Sequence, residues 1–151
     1  MGYIMDLRKY VGHAPLIMAA GCVLIVDGEG RLLLQKRRDD GTWCYPGGAM
    51  EPGEDFAQCA AREALEETGL NCLELELFRL NAGEKMRRVY PNGDVVYIAE
   101  AVFVCRRWEG EMRAQPSEVL EQRFFPLDGL PEPLLAINRE TILAFIQAQK
   151  G

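Results

Sequence analysis

The sequence predicts an α/β fold in which a mixed β-sheet lies between helices. Three observations carry that reading. Apolar runs of strand length recur along the chain, bounded by turns rich in Gly, Pro, Asn and Asp. A stretch with helical spacing, from about Asp55 to Gly69, interrupts them, and another, from Ala136 to Gln149, follows them. The length of 151 residues suits one domain, residues 1–151, with a core of its own.

The elements follow in order. In residues 3–10, Ile4, Leu7 and Tyr10 fall near one side of a helix. This predicts a short amphipathic helix in an N-terminal extension, residues 1–14, that either caps the sheet or joins a homodimer contact. His13, the sole histidine, reads as a loop residue. Ile17 to Val26 reads as a mostly buried strand, Asp27 to Gly30 as a turn and Arg31 to Lys36 as a second strand, which predicts a hairpin. Cys72 to Leu80 reads as a strand. Residues 85–90 and 95–105 predict another hairpin about Pro91-Asn92-Gly93-Asp94. The strand Val95 to Cys105 is apolar enough to be central. A loop from Glu109 to Pro116, a further strand and the turn Asp128 to Pro131 lead to the closing helix, whose apolar positions are Ile137, Ile142, Leu143, Ala144, Phe145 and Ile146.

Composition narrows the function. The net charge of −6 argues against binding nucleic acid through a positive surface. Five cysteines, Cys22, Cys44, Cys59, Cys72 and Cys105, show no C-x-x-C spacing, which disfavours zinc and a disulfide framework. A reducing, cytoplasmic home is the simplest expectation. Asp6, Arg8 and Lys9 break any signal-peptide run, and Ala14 to Val26 is too short and Gly-broken to span a bilayer, so no membrane partner is expected.

The helix from Asp55 to Gly69 carries the chemistry. At about 100° per residue, Ala57, Ala61, Ala64, Leu65 and Thr68 fall on one side, a small-residue stripe suited to a sheet. Glu63, Glu66 and Glu67 fall on the other, at spacings that make their carboxylates neighbours. Like charges so placed destabilise an isolated helix by roughly 0.2–0.5 kcal/mol per pair. A solvated acidic face is one outcome. The other is a hard cation such as Mg²⁺ or Mn²⁺. Arg62 stands eight residues after Glu54 and four before Glu66, where it can orient a carboxylate without entering the metal patch. Upstream, Gly47-Gly48 leaves room for a close backbone approach.

Written out, the pattern is Gly48, five residues, Glu54, seven residues, Arg62-Glu63, an apolar slot, one residue, Glu66-Glu67, one residue, Gly69 and an apolar residue. It resembles the signature box of the Nudix hydrolase superfamily, MutT-like proteins among them. With residue usage at ~7%, its seven fixed positions match by chance on the order of once in 10⁸ starting points. Ala64 departs mildly, because a larger aliphatic is usual there. The resemblance covers about residues 16 to 148 and implies the Nudix α/β/α sandwich.

It further implies divalent-metal-dependent hydrolysis of a pyrophosphate bond in a nucleoside diphosphate linked to another moiety. Glu63, Glu66, Glu67 and the Gly47 carbonyl would be metal ligands, and Glu54 and Arg62 an orienting pair. In the family a further carboxylate comes from the loop before the last strand, and spacing favours Glu118, with Glu121 as alternative. Either Glu66 or Glu118 would be the base for the attacking water. Glu51 either reaches a metal through water or faces solvent. Arg37 is expected at a substrate phosphate, unless Lys36 to Arg38 form only a solvated edge. Trp43 and Tyr45 either pack in the core or stack on a base. Arg87 and Arg88 lie on opposite faces of a strand, and one of them, taken as Arg87, points to the substrate. A proline often found about sixteen residues past the box in enzymes acting on ADP-ribose is absent, Lys85-Met86-Arg87 standing there. Tyr90 stands where dinucleoside polyphosphate hydrolases often carry a tyrosine. A nucleoside triphosphate, a nucleotide sugar, a dinucleoside polyphosphate and an RNA end all remain open as substrates, with small nucleotides favoured. A competing expectation is a non-hydrolytic nucleotide sensor on the same fold.

Overall fold

The computed structural model describes residues 2–151. Helix α1 spans Tyr3–Val11. Strands β1 (Leu16–Ile25), β2 (Leu32–Arg37), β3 (Trp43–Cys44) and β4 (Gly47–Ala49) precede helix α2 (Phe56–Thr68). Then come β5 (Asn71–Cys72), β6 (Glu76–Asn81), β7 (Arg87–Val89), β8 (Val95–Cys105), β9 (Trp108–Glu109) and β10 (Val119–Phe125). Helix α3 covers Ala136–Lys150.

The main sheet has five strands in the order β4-β1-β8-β6, with β7 also on β8. It is mixed: β1 runs parallel to β8, from Leu16 beside Val96 to Ile25 beside Cys105, and the other pairings are antiparallel. Strand β8 alternates, as a strand with two covered faces must choose which residues go where. Ala101 and Phe103 meet Ala60 of α2 on one face. Val96, Ile98 and Val102 join Leu34, Trp43, Phe125, Ile142 and Phe145 in the main core on the other. There a small sheet, β10-β2-β3, and helix α3 complete the packing. The fold is therefore α/β with a mixed sheet between helices. The cysteines are free thiols. No helix of the described residues is long and apolar enough to cross a membrane.

Gly21 explains how closely α2 lies on β1. A Cβ there would stand 2.7 Å from both the Ala60 nitrogen and the Phe56 oxygen. Backbone meets backbone, which only a strand glycine permits.

Several expectations are corrected. The predicted hairpin of β1 and β2 is not a hairpin: the strands share only the bridge Val26–Leu32, then diverge into different sheets. Leu32, Leu33 and Leu34 are all buried, so β2 needs cover on both faces, which a two-strand ribbon cannot supply. The strand expected over Cys72 to Leu80 is split between β5, which pairs with β9, and β6, which pairs with β8. The sheet-facing residues of α2 are Cys59, Ala60, Ala64, Glu67 and Thr68, whereas Leu65 is half exposed. The stripe is rotated from the small-residue side toward Glu67, because Glu67 has buried hydrogen-bond partners. In α3, Asn138 and Thr141 are buried and Leu143 is exposed.

Helix α1 forms, but Tyr10 is solvent-exposed and Arg8 takes the buried position. Arg8 donates to the carbonyls of Gly12 and Ala14 and, at 2.9 Å, to that of Val95. Asp94 Oδ2 lies 3.6 Å from its Nε, and Asp94 Oδ1 lies 2.6 Å from His13 Nδ1. His13 is thus a clamp for the segment after α1. The His13 hydrogen bond, with Asn92 and Arg8, holds the Asp94 carboxyl below its ordinary 3.8. A carboxyl lowered in the folded state adds stability that is complete above the ordinary value and lost as pH falls through the folded one. We expect hydrogen-exchange protection over residues 3–11, relative to the intrinsic rate at each pH, to fall on acidification below about pH 3.8 in the parent protein. Asp94→Asn should exchange faster already at neutral pH and lose that acid-dependent step.

Candidate active site

The site is built along the second half of α2, beside the loop between β4 and that helix. Asp55 caps α2: its carboxylate accepts from the Gln58 amide at 2.7 Å, and the Gln58 side chain accepts from the Asp55 amide at 2.9 Å. Gly69 ends the helix with a left-handed φ of 80°. These ends set the register of every acidic residue between them.

Arg62 ties loop to helix. Its Nε and Nη2 donate to the two oxygens of Glu54 at 2.5 and 2.9 Å. Nη2 also donates to the Ala49 carbonyl at 3.0 Å, and Nη1 to Glu63 Oε1 at 3.0 Å. Glu66 lies 3.3 Å from Nη1. Glu54 accepts as well from the Glu51 amide at 2.8 Å. The Arg62 hydrogen bonds pull the Glu54 carboxyl down to about 2. Glu54 and Arg62 form the expected pair. Arg62 does not stand clear of the acidic patch, however, because its guanidinium reaches Glu63 and Glu66 too.

Glu67 is buried and unlike its neighbours. Gln35 donates to Oε1 at 2.5 Å and the Gly47 amide to Oε2 at 3.1 Å. Gln122 secures this corner, donating to the Glu67 carbonyl at 2.7 Å and to Gln35 Oε1 at 3.1 Å. Burial pushes the Glu67 carboxyl well up, and the adjacent Glu63 charge adds to the rise. Glu63 is also raised, by its own burial.

The expected three-carboxylate patch is thus a pair with a third member aside. Among the described residues no three acidic, cysteine or histidine side chains stand ready-made around one point. Glu66 is half exposed and turned to Arg62. The donors nonetheless fit a hard divalent cation: oxygens only, two carboxyls forced together out of water, and a third acid one turn from Glu63. The chemistry of this donor set is what tests the fit, since a cation would relieve the repulsion between adjacent carboxylates.

The two glycines have different reasons. A Cβ on Gly48 would stand 2.4 Å from the Glu63 carboxyl carbon. A Cβ on Gly47 would stand 2.4 Å from Cys22 Sγ and 2.9 Å from its Cα. One glycine makes room for the acid, the other for strand β1.

These groups open into a cavity of about 1040 Å³ between the two sheets. Gly47, Arg62, Glu63, Glu66 and Glu67 line it, as do Arg37 and Glu118. Arg37 spends its donors on Asp39, at 3.0 Å to each carboxylate oxygen. Glu118 is exposed, and its carbonyl is fixed by the Arg38 amide at 3.0 Å. Glu121 is bonded to Arg123 and does not line the cavity.

Three expectations change. Arg87 is exposed and outside the cavity. Arg88 is the inward residue of β7, stacked 4.5 Å over the Tyr90 ring and 3.4 Å from Asp39 and Asp40. Tyr45 packs mainly in the core and donates its hydroxyl to Glu100 at 2.6 Å, while it also borders the cavity. Trp43 likewise packs edge-on against Phe125. Glu51 binds the Tyr3 amide at 2.9 Å, a role sequence reasoning missed.

Glu100 was missed as well. It is a buried acid in the cavity floor, held by Tyr45, by Asn81 at 3.0 Å and by Cys22. Its signal is phase: Glu100 shares the core parity of Ile98 and Val102 on β8.

Comparison with known proteins adds to this geometry. The NUDIX domain model matches residues 15–145. An ADP-ribose pyrophosphatase from Methanocaldococcus jannaschii is 32% identical over 142 residues, 91% of this chain and 77% of that protein. An 8-oxo-dGDP phosphatase from Mus musculus is 32% identical over 136 residues, which are 86% of this chain but only 37% of the mouse protein. A MutT NUDIX hydrolase structure from Burkholderia pseudomallei superposes with a TM-score of 0.73 at 27% identity, covering 84% of this chain and 96% of that one.

Gly48→Ala should leave the melting temperature nearly unchanged, because the flexible Glu63 carboxyl can swing aside, yet displace that acid from the site. Gly47→Ala meets backbone and should destabilise the fold by roughly 1–3 kcal/mol. Thermal melts of both variants test the contrast.

Proposed function

The chain belongs to the NUDIX family of hydrolases, and from that premise we propose that it hydrolyses a pyrophosphate bond in a nucleoside diphosphate linked to another moiety, with Mg²⁺ or Mn²⁺ as cofactor. The observation that carries the reading is the pairing of the buried Glu67 with the partly buried Glu63, beside the Arg62–Glu54 ion pair. The names of the two relatives, a pyrophosphatase of ADP-ribose and a phosphatase of 8-oxo-dGDP, support a substrate of this class.

When bound, a divalent cation would supply positive charge near the pyrophosphate oxygens and would lower the pKa of water there. Glu63, Glu66, Glu67 and the Gly47 carbonyl would hold it. Arg62 keeps Glu54 and Glu63 in place, so that the acids need no reorganisation during turnover. Glu66, half exposed and one turn from Glu63, is suited to take a proton from the attacking water. Glu118 faces the cavity from the loop before β10 and is the second candidate for that role. Arg37 and Arg88 add positive charge on the opposite wall, in place of the expected Arg87. Their aspartate partners Asp39 and Asp40 fix both guanidinium groups before substrate arrives.

The test is product analysis with Mg²⁺ or Mn²⁺ over nucleoside triphosphates, nucleotide sugars, dinucleoside polyphosphates and triphosphorylated RNA. Release of a nucleoside monophosphate, abolished by EDTA, is the expected result. Binding without phosphate release under either metal would sink the hydrolytic reading in favour of a sensor. Glu67→Gln should lower turnover roughly 10²–10⁴-fold at saturating Mg²⁺. Near-native turnover in that variant would remove Glu67 from the metal site.

A further inference from the structure

Helix α1 lies outside the segment matched by the family model, which begins at residue 15, yet it forms one wall of the cavity. Ile4, Met5 and Arg8 reach the lining. Ile4 packs on the main core, whereas Met5 stays 48% exposed where it borders the cavity. Met18 of β1 and Ile98 of β8 continue the same apolar surface.

The wall is held at both ends. At its start, the Tyr3 amide donates to Glu51 Oε2, and the Glu51 amide donates to Glu54, the partner of Arg62. At its end, Arg8 donates to the Val95 carbonyl and faces Asp94. Two hydrogen bonds therefore separate α1 from the ion pair that positions the acids.

We propose that α1 is a specificity-determining wall for the proposed reaction, with Met5 contacting the base of the nucleoside diphosphate substrate. The inference rests on the reading under Proposed function. The cavity sets the Glu63, Glu66 and Glu67 carboxylates of α2 beside the apolar side chains of Ile4, Met5, Met18 and Ile98 on α1, β1 and β8, so a ligand that spans both must present metal-binding anionic groups and an apolar face together. A nucleotide does, through its phosphates and the face of its base. A sugar phosphate lacks the second. A thioether is polarizable and contacts aromatic rings favourably. Glu51 is a positioning residue, setting the distance between this wall and the Glu54–Arg62 pair.

The experiment titrates the intact protein, by calorimetry without metal, with AMP, GMP, CMP, UMP and ribose 5-phosphate. The parent should prefer at least one nucleoside monophosphate over ribose 5-phosphate. Met5→Ser should weaken that binding about 2- to 10-fold, leave ribose 5-phosphate unchanged, and raise KM without lowering kcat. Met5→Leu should restore most of the preference. Glu51→Ala, which releases the Tyr3 amide, should reduce the preference in the same direction. An equal effect on ribose 5-phosphate, or no preference in the parent, overturns the proposal. Base-selective binding that depends on Met5 in a protein that hydrolyses nothing would support the wall and defeat the hydrolase reading. Hydrolysis of pyrophosphate bonds regardless of the base would do the reverse.

Discussion

The guanidinium of Arg62 is the contact on which the site depends. Nitrogens of one side chain reach the Glu54 carboxylate, the Ala49 carbonyl, Glu63 and Glu66. They join a loop that has almost no regular structure to a helix that is firmly capped. Strand β4, which leads into that loop, in turn supplies the Gly47 amide to Glu67. A planar donor fork suits this task where an ammonium would not, because several acceptors lie in fixed directions around it.

Around that contact the protein accepts a local cost. Two acids, Glu63 and Glu67, sit together away from water, and both are pushed toward their neutral forms. An apolar replacement would pack more easily at the Glu67 position, which points at the sheet. The compensation is local: Gln35, Gln122 and the Gly47 amide surround Glu67. The rest of the fold supplies the stability, through the long β1–β8 pairing and a core that excludes water from Val23, Leu24 and Ile25.

Much of this was legible in the sequence, and what was not has a physical cause. The box gave its helix, because Asp55 and Gly69 are strong end signals and the acids repeat at helical spacing. The Glu54–Arg62 pair followed from spacing in the box. The orientation of α2 did not, because small residues occur on more than one side and only Gly21, far earlier in the chain, says which side the strand meets. The divergence of β1 from β2 was invisible for a similar reason: a four-residue turn reads as a hairpin unless the demand for cover on both faces of Leu32 to Leu34 is recognised. The exchange of Arg87 for Arg88 turned on one step of strand parity. Glu51, Glu100 and Gln35 owe their places to partners far along the chain, Tyr3, Tyr45 and Glu67, and no local pattern announces such pairings.

The walls of the cavity come from separate stretches of chain: α1, two neighbouring strands of the main sheet, β7 and the loop before β10. The acids come from one compact stretch, Glu54 to Glu67. Descendants of such a protein can alter what they accept by changing one wall at a time while inheriting the reactive group of residues intact. The acidic cluster and the walls around it are written in different paragraphs of the same text, and evolution can edit one without rewriting the other.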